Sequence, residues 1–146
     1  MPYLHERNWS QIIHFFSFQI NVLMIESIFK KRPHLLLDKD KGIIELKGSS
    51  IMEDAPVFYE PIMEWVFEYI KDPKDTLVNI DLEYFNSASA KILHILIKTL
   101  STIERSGYTL TVNWYFEEDD EDIRSCGHDF SLLSKVKFNL MMKEKI

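Results

Sequence analysis

The stretch Tyr84-Phe85-Asn86-Ser87-Ala88-Ser89 places an amide and two hydroxyls where an alternating apolar run gives way to a helical pattern. Side chains of these types at a helix start can do two things. Ser and Asn cap helices, because a side-chain oxygen accepts one of the backbone N–H groups that the first turn leaves unpaired. A hydroxyl there can also accept a phosphoryl group. Negative charge at a helix N-terminus is favoured by about 0.3–1 kcal/mol at exposed sites. A phosphate brings roughly −1.5 to −2 charges at neutral pH and acceptor oxygens for the free amides. One cap needs one residue, and here Asn86, Ser87 and Ser89 share one turn. Residue pattern alone still ranks capping ahead of phosphorylation.

Other chemistry is harder to find. Cys126-Gly127-His128-Asp129 sets a thiol near an imidazole. A Cys–His nucleophile needs both side chains held in hydrogen-bond reach with an orienting third group, and such short spacing in an expected loop is a weak signal. The acidic run Glu117 to Asp122 has three readings. It could hold a hard cation, though it lacks calcium-loop spacing and its glycine. It could be a solvated loop at a strand end, or a docking surface for a basic partner. The histidines are scattered, and His94 shares its helix face with Lys91 and Lys98, which predicts a solvated imidazole. With four glycines in the chain there is no Gly-rich phosphate loop. These residues predict no catalytic set, no bound metal and no cofactor.

Composition narrows the class. Apolar residues make up 46% and charged residues 27%, which suits one globular α/β-sized domain. The net charge of −6 argues against nucleic-acid binding, which wants a basic surface. Cys126 is the one cysteine, so a disulfide framework is excluded and a cytoplasmic location is expected. Residues 9–29 are rich in apolar and aromatic side chains but broken by Ser10, Gln11, His14, Ser17, Gln19 and Asn21. A spanning helix needs about 20 mostly apolar residues, and the start lacks a signal-peptide pattern. Residues 1–30 therefore read as an N-terminal extension, amphipathic and packed on the domain or frayed, with no stable membrane insertion. Surface membrane attachment and a true start at Met24 are the alternatives.

The elements that must hold the Ser87 turn follow from periodicity. Residues 34–49 read as a hairpin around Asp38-Lys39-Asp40-Lys41-Gly42. Residues 53–73 carry Phe58, Ile62, Trp65, Val66 and Tyr69 at helical spacing, with Pro61 expected to kink the helix or mark its first turn. Residues 76–85 alternate, with Val78, Ile80, Leu82 and Tyr84 on one face. Ile92, Leu93, Leu96, Ile97, Leu100 and Ile103 form a helical stripe that Gly107 stops. Residues 109–116 alternate again, a short helical or irregular piece runs to Phe130, and residues 136–141 form a last strand. The order β-β-α-β-α-β-(α)-β predicts an α/β fold, a single domain over residues 31–146 with helices packed on a mixed sheet.

Three stretches together resemble the SiaC family of bacterial regulatory phosphoproteins over residues 33–142. They are Phe58-Tyr59-Glu60-Pro61 with Trp65; Tyr84-Phe85-Asn86 with Ser89 and Lys91; and Trp114-Tyr115 with the acidic run and Gly127. The resemblance implies a STAS-like (anti-sigma-factor-antagonist-like) domain and a non-enzymatic, partner-switching role. It implies a protein kinase that modifies the hydroxyl after Asn86, a phosphatase that reverses this, and an effector, a diguanylate cyclase, bound by the unmodified form. Carried over, the acceptor is Ser87, where the family usually has Thr, with Ser89 as fallback. The partner face implied comprises Asn86, Ser87, Ser89, Lys91, Glu118, Asp119 and Asp120. Gly48-Ser49-Ser50-Ile51-Met52 departs from the family's usual Gly-Arg-Ser followed by Pro, and Arg124 replaces a usual acidic residue. The alternative is a constitutive interaction module in which Ser87 and Ser89 serve only as caps.

Overall fold

The computed structural model describes residues 32–51 and 54–144; the expected extension over residues 1–30 lies outside them. Strands β1 (His34–Asp38) and β2 (Ile43–Ser50) form the expected antiparallel hairpin. Its turn closes with the Lys41 N–H donating to Asp38 Oδ1 at 3.0 Å, and ends at Gly42 with φ +68°. A Cβ at Gly42 would strike the carbonyl oxygen of Asp75, so the turn and its neighbour require glycine.

Helix α1 (Ala55–Tyr69), strand β3 (Thr76–Phe85), helix α2 (Ser87–Leu100), strand β4 (Leu110–Glu117), helix α3 (Glu121–Ser134) and strand β5 (Lys137–Lys143) follow. Spatial order equals chain order, β1-β2-β3-β4-β5, and all pairs after the hairpin are parallel. Right-handed crossovers that all step the same way put their helices on one face. That face buries Ile44, Leu46, Val78, Ile80, Leu82, Val112 and Trp114 against Leu93, Leu96, Ile97 and Leu100 of α2. No described helix covers the other face. There the in-register residues Glu45, Asn79, Asn113 and Asn139 form a side-chain ladder, each Asn Nδ2 donating to the side-chain oxygen on the preceding strand at 3.0–3.1 Å.

The α/β class, the element order and the mixed sheet match expectation, and the departures have local causes. Helix α1 starts before Pro61 and runs through it, with Pro56 in its first turn. The missing N–H of Pro61 leaves the Val57 carbonyl unpaired within the helix, on a side where Val57 is exposed. The buried stripe is Ala55, Tyr59, Ile62, Val66 and Tyr69, so Tyr59 replaces Phe58 as the inward residue.

In β3 the pairing with β2 steps from Gly48↔Leu82 to Ser49↔Tyr84, which makes Glu83 an extra residue. That bulge turns Tyr84 outward, 64% exposed, instead of inward. Phe85 takes the inward place, edge-on to Trp114 at 5.7 Å. A 3-10 turn, Ser101–Ser106, carries Ile103 into the core before Gly107 ends it at φ +89°. The piece expected to be short or irregular is a full helix, α3. It buries only Ile123, Gly127 and Phe130, too thin a stripe to announce itself.

Candidate functional site at the helix N-termini

Parallel strands end at the same edge of the sheet, and the helices that follow begin there. The Ser87 turn and the acidic run therefore share one edge, at the starts of α2 and α3. The cap of α2 is Asn86, whose Oδ1 accepts the Ser89 N–H at 2.9 Å. Capping is thus done by one residue and uses neither hydroxyl. Ser87, the first helical residue, is exposed.

Ser89 is in the opposite situation, fully buried. Its Oγ accepts a hydrogen bond from Ser50 Oγ at 2.8 Å, and Ser50 Oγ is also 2.8 Å from the Tyr59 hydroxyl. Burial pushes the Tyr59 phenol up to about 12, against a smaller opposing effect of the Ser50 bond. The phenol therefore stays protonated, and because Ser50 gives its one proton to Ser89, the phenol donates to Ser50, a relay from Tyr59 to Ser50 to Ser89. One turn beyond Ser87, Lys91 is exposed. It borders an open groove of about 440 Å³ between α1 and α2, lined chiefly by Pro56, Tyr59, Met63, Ala88, Ile92 and Ile95.

The acidic run becomes the start of α3. Asp120 is its cap, with Oδ1 accepting the Ile123 N–H at 3.0 Å. Glu121 and Asp122 occupy the first turn, where carboxylates suit the helix dipole. Glu118 and Asp119 sit exposed in the preceding turn. Beside them a cleft of about 280 Å³ is lined by Glu83, Tyr84, Tyr115, Glu117, Asp119, Asp120 and Lys143. Lys143 Nζ meets Asp81 at 2.8 Å and Glu117 at 3.2 Å. Burial alone would lower its pKa, but the hydrogen bonds and charges of those two carboxylates outweigh burial and raise it. Tyr84 walls this cleft and lies three residues before Ser87, so one short segment joins the two predicted patches.

Some expectations are corrected. His94 is not a solvated imidazole. It is half-buried, 6.2 Å from the Phe130 ring, and its Nδ1 is enclosed without a hydrogen-bond partner. Cys126 and His128 lie two positions apart on a helix and so do not face each other. Burial, then Asp129, Asp122 and Asp120, push the thiol pKa up, the reverse of an activated nucleophile. Among the described residues no group of three or more His, Cys, Asp or Glu could hold a metal ion, and no helix is long and apolar enough to cross a membrane. Sequence reasoning missed Ser50 and Tyr59 as partners beneath the turn, and Tyr84 as the wall of the cleft. Tyr59 and Tyr84 stood in quoted motifs, whereas Ser50 stood only in a stretch quoted for its departure from the family pattern.

Fold and site together describe a single α/β domain that gathers the exposed Ser87 and the acidic run at one sheet edge. The chain belongs to the SiaC family of regulatory phosphoproteins, whose family model matches residues 27–143. Its place is among regulatory proteins and not among enzymes. In three dimensions it resembles a chain from the Pseudomonas aeruginosa diguanylate cyclase SiaD in complex with its activator SiaC. The TM-score is 0.71 at 18% identity, covering 76% of this chain and 92% of that one. SiaC of Pseudomonas aeruginosa by itself gives a TM-score of 0.69 at 17% identity, covering 76% and 90%. Among curated proteins, the probable polyketide synthase 15 of Dictyostelium discoideum is 28% identical over 127 residues. The match takes in 84% of this chain but only 4% of that protein's length.

Proposed function

We propose that the chain is a reversible phospho-switch that binds, in its unmodified form, an effector such as a diguanylate cyclase, with Ser87 as the phosphoacceptor. The observation that carries this reading is the contrast at one turn: Ser87 is exposed at the helix start, and Ser89 is sealed in a hydroxyl relay. A partner kinase reaches Ser87 without unfolding anything. The Ser87 Oγ attacks the terminal phosphoryl of a nucleoside triphosphate, the nucleoside diphosphate leaves, and the hydroxyl proton passes to a base on the kinase. A phosphatase returns the hydroxyl by water attack on phosphorus.

The effector face comprises Asn86, Ser87 and Lys91 on α2 and Glu118, Asp119 and Asp120 before α3, with Ser89 contributing from beneath. Phosphate at Ser87 adds charge at an edge already rich in carboxylates and blocks the partner by repulsion and by the cost of desolvating the dianion. The fold itself need not change. Peptide mass spectrometry of the protein from its own host tests the reading. A phosphate on Ser87 is expected. Effector binding unaffected by real phosphate at that residue would sink the blocking mechanism. No phosphate under varied growth conditions, with binding intact, would leave a constitutive interaction module.

A further inference from the structure

Ser50, the last residue of β2, touches the acceptor turn on both sides of Ser87. Its carbonyl accepts the N–H of Asn86, the residue before, at 3.0 Å. Its hydroxyl donates to Ser89, two residues after, at 2.8 Å. The hydroxyl chain is sealed from water, since Ser50 and Ser89 are 0% exposed and Tyr59 is 1% exposed. The Tyr59 hydroxyl, held protonated, fixes the remaining side of the Ser50 hydroxyl. Ser87 lies between the two anchored positions and makes no part of the relay, so its hydroxyl is presented on a backbone that is pinned before and behind it.

We infer that Ser50 is the positioning residue of the switch: by clamping Asn86 and Ser89 it presents Ser87 to the modifying enzyme and withholds Ser89. The inference rests on the reading that Ser87 is the acceptor. Two hydroxyls of nearly equal chemistry lie two residues apart, and a kinase that reads an extended or frayed segment could use either. The clamp makes the choice, because Ser89 becomes available only when the first turn of α2 lifts away from β2. Such lifting breaks the Ser50–Ser89 bond and opens a buried site, and buried polar contacts of this kind hold local opening to a small population.

The test compares the full-length wild type with Ser50→Ala and Tyr59→Phe, expressed in the native host. Phosphosite mapping is read beside amide exchange of the purified proteins. Ser50→Ala keeps the carbonyl bond to Asn86 and removes the hydroxyl bond to Ser89. The bonded amides of Ser89 and Ala90 should then exchange about ten-fold faster, the effect of losing one buried hydrogen bond, while β3 and β4 stay protected. Phosphate should appear on Ser89 in a substantial share of molecules, and Ser50→Thr, which restores the hydroxyl, should return it to Ser87.

Tyr59→Phe leaves the Ser50–Ser89 bond in place, and should lower stability without moving the phosphate. If Tyr59→Phe moves the phosphate as far as Ser50→Ala does, general loosening is the cause and the clamp is overturned. Wild-type phosphate on Ser87 with Ser50→Ala unchanged in both exchange and site also overturns it. A wild type with no phosphate on Ser87 overturns instead the reading beneath it, and the exchange result then still reports whether the clamp exists.

Discussion

The starts of α2 and α3 occupy equivalent places in the fold, each following a parallel strand at the same sheet edge, yet they are built differently. At α3 the cap is a carboxylate, Asp120, and two more carboxylates fill the first turn. At α2 the cap is the neutral Asn86, and the first turn carries no acidic residue. Helix α3 therefore has its negative charge permanently, encoded in the chain. Helix α2 keeps the same favourable position empty of charge and offers an exposed hydroxyl in its place. An added anion gains most where none is present, so under the proposed switch a charge placed at residue 87 would gain more than one placed at the neighbouring helix.

Substitutions can pull the two ends apart. The largest expected effect is at the seat of α3. A Cβ at Gly127 would lie 2.5 Å from Trp114 Cδ1 and 2.8 Å from Leu140 Cδ2. Gly127→Ala should destabilise by about 2 kcal/mol in a urea titration, overpacking exceeding the helix-propensity gain. Amide exchange at the start of α2 should stay close to wild type. A variant as stable as wild type would show that α3 is loosely seated.

Next comes alkaline pH, which probes the seat of α2. In the unfolded chain Tyr59 ionises near 10.0, and in the fold near 12. Below pH 10 both states hold the proton. Between the two values the unfolded state alone loses it, so stability falls as pH rises, by roughly 2 kcal/mol at the upper end at about 1.4 kcal/mol per pH unit. Lys143, whose pKa is also raised, acts in the same direction at high pH. The difference between wild type and Tyr59→Phe isolates the phenol, and parallel curves for the two proteins from pH 9 to 12 would remove it as a contributor.

Caps come third. Asn86→Ala and Asp120→Ala should each cost about 1 kcal/mol. The Asp120 loss should shrink in high salt, because a charged cap acts partly through screened electrostatics, and the Asn86 loss should not. Equal salt dependence would erase the distinction drawn between the two helix starts. Smallest is residue 87 itself. Ser87→Ala should change stability by less than about 0.5 kcal/mol, because its side chain is exposed and the cap is Asn86. Ser87→Asp should add a few tenths of a kcal/mol at low ionic strength. Urea titrations at two salt concentrations would measure both.

How far the string of residues foretells this site depends on how local each feature is. The hairpin, the alternating strands at residues 76–85 and 109–116 and the stripe of α2 are short-range periodicities, and the structure bears them out. Asn86 as a helix cap follows from residue type and from the pattern after it. The outward turn of Tyr84 does not, because it depends on one extra residue in the pairing of β3 with β2, which no periodicity within β3 reveals. Ser50 lies far from Ser89 in sequence, and only the parallel pairing brings the two together. Helix α3 was hidden for a different reason. Three buried side chains on a polar helix leave a weak period, and the acidic residues that start it resemble a loop until they are seen as a cap and a first turn. His94 misled because it shares a face with two lysines while Phe130 arrives from a helix that the pattern barely shows.

The monotonic strand order has a consequence for how the molecule is made. Each strand pairs with the one synthesised just before it, and none must wait for a later strand to be inserted between existing neighbours. A sheet of this kind can grow in the direction of synthesis, the hairpin first and each strand–helix unit docking on the edge left by its predecessor. The Ser87 turn is complete once β3 has paired with β2 and α2 has packed on α1, before α3 and β5 have been made. The acidic neighbour arrives only after that turn, so a ribosome-bound chain would display the Ser87 turn and its Ser50 clamp before the carboxylates beside them.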